Sequence, residues 1–194
     1  MRARTILVLA LAVAVPAVAC GGGSDRGEAS QSALSPVTAA PVPDGLSVGP
    51  TSTGLGRGDR APAFHAQLLS GGELTLESLK GRPVVLNFWL TTCAPCIREM
   101  PALAEVISDH QADDLVVVGV NSGESPEVVT EFITGFEVEL DFPIVLDREV
   151  DLGRLYEIVV FPMTYFIDRD GIVQYRRVGE LREEHLEVGL SRII

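Results

Sequence analysis

Two cysteines, Cys93 and Cys96, are the residues of this 194-residue sequence best equipped for chemistry. They stand in the segment Cys93-Ala94-Pro95-Cys96, directly after an apolar run, Val84–Leu90, that is broken only by Asn87. Such a run predicts a strand covered on both faces, and the residues after it have helical periodicity. Cys93 therefore falls at the start of a helix. There, free backbone N–H groups and the positive end of the helix dipole favour a thiolate, which is the nucleophilic form of cysteine. Cys96 falls one turn inside, within reach of the first sulfur. One sulfur can attack a substrate disulfide and the other can resolve the mixed disulfide. Pro95 holds the first turn in helical geometry at a position where no N–H donor is wasted.

Other uses of a close cysteine pair fit less well. A zinc site needs four ligands, and His65, His110 and His185 lie far apart in the sequence. Covalent haem attachment requires a histidine after the second cysteine, where Ile97 stands. A purely structural disulfide is disfavoured because short loops stabilise least. Redox exchange with no metal and no cofactor is the expectation.

The pair must be positioned by the elements around it. Residues 63–76 read as a hairpin, with arms Phe64–Leu69 and Glu73–Leu76 joined at Ser70-Gly71-Gly72. Ile97, Met100, Leu103 or Ala104, and Ile107 recur at helical spacing and predict a helix over 94–110, kinked at Pro101. Leu115–Val120 reads as a second buried strand. Ser125-Pro126-Glu127 then opens a helix with Val128, Val129, Phe132, Ile133 and Phe136 on its apolar face. A short strand at Ile144–Leu146 and a short helix at 148–157 follow. Strands at Met163–Ile167 and Ile172–Val178 are joined by the turn Asp168-Arg169-Asp170-Gly171, and a last helix is expected over 181–192. Strand–helix alternation closed by a hairpin predicts an α/β domain with helices on both faces of its sheet, over residues 58–194.

The N-terminus reads as an address. Residues 1–19 begin with Arg2 and Arg4 and run apolar from Ile6 to Ala19, which describes a secretory signal rather than a bilayer span. Ala17-Val18-Ala19-Cys20 resembles a bacterial lipobox, with Ala17 where leucine is usual. That resemblance implies cleavage before Cys20 and lipid on its sulfur. Residues 20–57 are rich in Gly, Ser, Ala, Pro and Thr and read as a tether, a coil spanning roughly 35 Å. The formal net charge of −12 disfavours nucleic acid and anionic lipid surfaces as partners.

Asn87-Phe88-Trp89-Leu90-Thr91-Thr92-Cys93-Ala94-Pro95-Cys96-Ile97-Arg98-Glu99-Met100-Pro101 resembles the active-site segment of thioredoxin-like proteins, in particular the extracytoplasmic branch typified by TlpA and ResA. Ala61-Pro62-Ala63-Phe64 and Phe161-Pro162-Met163-Thr164 match as well. The resemblance covers about residues 58–194. It implies a thioredoxin fold, with a mixed central sheet, an N-terminal β-hairpin and a central insertion. It also implies a membrane-tethered thiol–disulfide oxidoreductase that reduces protein disulfides. A frequent client in the family is apocytochrome c, and electrons come from a membrane thiol carrier. Pro162 corresponds to the family's cis-proline, which leaves the backbone of Phe161 free to pair with an extended substrate. Thr92 stands where the family usually carries tryptophan, a departure that bears on the substrate surface beside Pro95.

Glu99 follows Cys96 by three residues, which places its carboxylate on the face of the buried sulfur. A partly buried acid there takes the proton from Cys96, and related reductases carry glutamate at this position. The alternative is a solvated helix glutamate like Glu105. Asn87 stands where cytoplasmic thioredoxins carry a buried aspartate. Trp89 is expected in the core or at its rim, Arg98 as a solvated helix residue and His185 at the surface.

Three other activities are weighed. A disulfide-donating oxidase uses the same motif, because direction depends on the relative stability of thiolate and disulfide. A peroxidase of the peroxiredoxin group wants threonine three residues before its reactive cysteine, whereas Leu90 precedes Cys93 and Cys93 precedes Cys96 at that spacing. A copper-delivery protein on the same fold uses wider cysteine spacing and a later histidine, and no histidine occurs between His110 and His185.

Overall fold

The structure, a computed structural model, describes residues 53–194; the leader, Cys20 and the tether as far as residue 52 lie outside the described residues. Strand alternation builds the core. In β3 (Val84–Trp89), Val84, Leu86 and Phe88 point to one side of the sheet, and Val85, Asn87 and Trp89 to the other. Both sides are buried, as the near-continuous apolar run requires. β4 (Val116–Ser122) lies parallel to β3, and β5 (Ile144–Asp147) lies parallel to β4. β6 (Met163–Ile167) runs antiparallel on the other side of β3, and β7 (Val173–Val178) pairs with β6. The hairpin of β1 (His65–Leu68) and β2 (Glu73–Thr75) joins antiparallel to β5. The result is one mixed sheet in the order β2-β1-β5-β4-β3-β6-β7.

One face carries α1 (Ala94–Asp109), α2 (Pro126–Thr134) and α4 (Glu183–Leu190). Met100, Leu103, Val106, Val129, Leu186 and Leu190 cover Val85, Trp89, Val117 and Phe166 there. The other face carries α3 (Asp151–Leu155), with Leu152 and Tyr156 over Leu86, Phe88 and Tyr165. Tyr156 and Tyr165 are fully buried, and each hydroxyl has an acceptor: the Pro62 and Tyr156 carbonyls respectively. At Gly189 of α4, an added Cβ would lie 2.3 Å from the Phe166 ring, so only glycine lets α4 settle this closely on the sheet.

The predicted elements are present, with differences at their ends. β4 continues past Val120 through Asn121 and Ser122, two buried polar residues paired with Leu146 and Asp147 of β5. Pairing on a central strand, rather than apolar side chains, carries the element there. α1 stays one helix through Pro101, whose exposed ring faces solvent. Ser125 precedes α2 in extended conformation, but its hydroxyl makes no cap bond. The short helix and the last helix are both trimmed, to 151–155 and 183–190. Thr53 bridges to Arg60, and Leu55 packs against the core.

Candidate active site

Cys93 is the N-cap of α1, in extended conformation, and its Sγ accepts from the Cys96 backbone N–H at 3.3 Å. The two sulfurs are joined as a disulfide, with Cα atoms 5.2 Å apart. Their exposures differ: Cys96 is 0 % exposed, whereas Cys93 is half-buried at the rim of the α1-side core. Only Cys93 faces an incoming reactant. Pro95 sits in the first helical turn, half-buried, and Thr92 is exposed.

Glu99 lies one turn further along α1 and is 2 % exposed, unlike the exposed Glu105. Its Oε1 accepts from Asn87 Nδ2 at 2.7 Å, and its Oε2 accepts from the Leu181 backbone N–H at 2.6 Å. Asn87 Nδ2 also donates to Thr164 Oγ1 at 2.9 Å, across the β3–β6 ladder in which these two residues are register partners. Burial pushes the Glu99 carboxyl up to about 7. The Leu181 and Asn87 hydrogen bonds pull it down, Glu180 adds a smaller upward push, and Arg177 a smaller downward pull. A carboxyl in this state exchanges its proton near neutral pH.

The loop before Cys93 is fixed by a residue that sequence reading did not single out. Glu124, just beyond β4, accepts from the Thr91 N–H (2.9 Å) and hydroxyl (2.6 Å) and from Asn121 Nδ2 (2.6 Å). Three donors meeting one carboxylate hold the ends of β3 and β4 together two residues before Cys93. A glutamate in a Gly/Ser-rich loop carries no sequence signal of this.

The Phe161–Pro162 peptide is cis and sits immediately before β6. Pro162 is buried, and its carbonyl accepts from the Gly179 N–H at 2.8 Å. Phe161 is half-buried and packs on the same apolar cluster as Cys93. Cys93, Cys96, Glu99, Phe161 and Pro162 are thus gathered where β3 ends and β6 begins. Trp89 is fully buried against Phe132, with ring centroids 5.6 Å apart. Arg98 is not merely solvated: its guanidinium forks onto both carboxylate oxygens of Glu180. His185 is also less exposed than expected, with 15 % of its side chain accessible and Nδ1 accepting from the Arg182 N–H. Among the described residues, no group of three or more His, Cys, Asp or Glu side chains is placed to hold a metal ion.

Residues 57–176 match the family model described as AhpC/TSA family. The chain belongs to that family, and its fold is thioredoxin-like. It is 36 % identical to the thioredoxin-like protein YneN of Bacillus subtilis, over 71 % of this chain and 81 % of that protein. It is also 36 % identical to the thiol-disulfide oxidoreductase ResA of Geobacillus kaustophilus, over 73 % of this chain and 80 % of that one. Among solved structures, StoA from Bacillus subtilis superposes with a TM-score of 0.57 at 27 % identity, covering 66 % of this chain and 96 % of StoA. Within the AhpC/TSA family, this chain is a thiol–disulfide oxidoreductase. The paired Cys93 and Cys96, at disulfide distance on the first turn of α1, carry that activity's motif.

Proposed function

We propose that this chain is an extracytoplasmic, membrane-tethered reductase of protein disulfides, with Cys93 as nucleophile, Cys96 as resolving thiol and Glu99 as proton acceptor. The Cys93 thiolate attacks one sulfur of a substrate disulfide. A mixed disulfide forms and one substrate thiolate leaves. Cys96 passes its proton to the Glu99 carboxylate, attacks the Cys93 sulfur and expels the second substrate thiolate. Two electrons have then moved from the dithiol to the substrate, and the protein is left with the Cys93–Cys96 disulfide. An extended client segment lies along Phe161 beside Pro162, with Thr92 and Pro95 flanking the reactive sulfur.

The observation that carries this reading is Glu99. A buried carboxyl one turn beyond the fully buried Cys96 can take that thiol's proton as the mixed disulfide is resolved. Strong disulfide donors are oxidants because their reduced form is stabilised, so the direction is read from the reduction potential of the pair. Equilibration against glutathione and dithiothreitol buffers tests it. A reduction potential near that of thioredoxin, about −270 mV or lower, is expected; a value near about −120 mV would instead make the chain a disulfide-donating oxidase.

The tether rests on Cys20 and the leader before it. The resemblance to secreted reductases supplies the remaining partners: a membrane thiol carrier as electron donor and a cysteine-bearing client such as apocytochrome c. Among the described residues no helix is long and apolar enough to cross a membrane. Cys20→Ala is expected to move the protein from the membrane fraction to the soluble one. Retention of the variant in washed membranes rules out the lipid anchor.

A further inference from the structure

The turn between β7 and α4 touches the site at three consecutive residues. The Gly179 N–H donates to the Pro162 carbonyl, the Glu180 carboxylate takes both arms of Arg98, and the Leu181 N–H donates to Glu99 Oε2. Gly179 has a φ of 85°, the left-handed conformation that glycine adopts freely, and this lets the chain turn back over α1. Arg98 and Glu99 are neighbours on α1, and Glu180 and Leu181 are neighbours on the turn. Two parallel links therefore join the same two segments, an exposed ion pair outside and a buried hydrogen bond inside. The Arg177 Nε also donates to the Glu180 carbonyl and braces the turn from β7.

We infer that the Arg98–Glu180 fork is a positioning device for the redox site, registering the Leu181 N–H on Glu99 and so setting how readily Cys96 can be activated. The inference rests on the reading of Glu99 as the proton acceptor. The forked geometry matters because a guanidinium engaging both oxygens fixes orientation as well as distance. Around Glu99, the charged groups are Glu180 on the turn, Arg177 on β7 and Arg98 on α1; Cys96 on α1 is the other titrating group. From β3 and β6 it meets only the neutral Asn87 and Thr164 network. Without Arg98, Glu180 keeps only the weaker attraction of Arg182 and presses its charge more on Glu99, and the Leu181 donor is held less firmly in register. Both changes disfavour the ionised form of the Glu99–Cys96 pair.

The test is an NMR titration of the reduced protein with isotope-labelled cysteine, whose Cβ shift reports ionisation of Cys96. Arg98→Gln is expected to raise the pair's apparent midpoint by on the order of half a pH unit, with the thermal unfolding temperature little changed. Arg98→Lys restores part of that shift, since it keeps the charge but cannot fork. In a Glu99→Gln background, Arg98→Gln should shift nothing. If Glu99→Gln moves the midpoint and Arg98→Gln does not, the positioning role is overturned and the proton-acceptor reading stands. If Arg98→Gln has its full effect without Glu99, the guanidinium acts directly on the thiols and the inference fails. If Glu99→Gln moves nothing, both fall together.

Discussion

Cys96→Ser arrests the protein as a mixed disulfide through Cys93. The expectation follows from unequal access: Cys93 is half-buried at the helix cap, and Cys96 is fully buried one turn in. A substrate disulfide meets Cys93 first, and without the second sulfur nothing inside the protein expels the substrate. Turnover should fall on the order of a thousandfold in either cysteine variant, since the two residues act as one unit. The variants differ in what accumulates. Non-reducing electrophoresis and mass spectrometry should find a client-linked adduct with Cys96→Ser and none with Cys93→Ser. An adduct on Cys96 in the Cys93→Ser protein would reverse the assigned roles.

Glu99→Gln should stabilise the fold at alkaline pH while slowing resolution of the mixed disulfide. The carboxyl's ordinary value is 4.5, and burial raises it to about 7 in the folded protein. Between those values the folded state holds a proton that the unfolded state has released. Stability contributed by the protonated form is therefore complete below about 4.5 and is lost as pH rises through about 7. The difference amounts to about 3 kcal/mol at pH 8, taking about 1.4 kcal/mol per pH unit. Glutamine keeps the shape and never pays that penalty. Its amide needs an acceptor, which Asn87 can offer by turning its own amide over, with Thr164 then donating to it. Chemical denaturation at pH 4 and pH 8 checks this. The variant should match the parent at the lower pH and exceed it at the higher. A parallel loss of roughly a hundredfold in resolution near neutral pH is expected for removal of a general base. Equal stability of the two proteins at pH 8 would mean that burial does not raise the Glu99 carboxyl above its ordinary value.

What the sequence made legible was whatever leaves a periodic or compositional trace. The alternating burial of β3, the apolar stripe of α1 and the turn glycines of the β1–β2 hairpin all follow from side-chain patterns, and they appear where those patterns end. The redox pair was legible for the same reason: a cysteine spacing joined to a strand-to-helix boundary has few other uses. The site's support was not. The Leu181 donor to Glu99 is a backbone N–H 82 positions away, and a main-chain group has no residue type to announce it. Arg98 and Glu180 are equally distant in sequence, and a single arginine on an amphipathic helix looks solvated until the chain closes on it. Glu124 acts through donors, Thr91 and Asn121, that are individually unremarkable in loops and strand ends. Tertiary closure, rather than local propensity, creates each of these contacts.

The register of β3 against β6 has a consequence for how this protein tolerates change. Phe88 faces Met163, so the segment that leaves β3 toward Cys93 and the one that enters β6 from Pro162 are adjacent rungs of one antiparallel ladder. That ladder has β4 on one side and β7 on the other, whereas β2 ends the sheet at the far edge. Fluctuations that open a fold by degrees begin at such margins, where few bonds hold the backbone. Here the hairpin can fray and re-form while Cys93 and Pro162 keep their mutual distance. The same layout puts the β1–β2 hairpin, at the far edge, where a change in its side chains leaves the two cysteines in place.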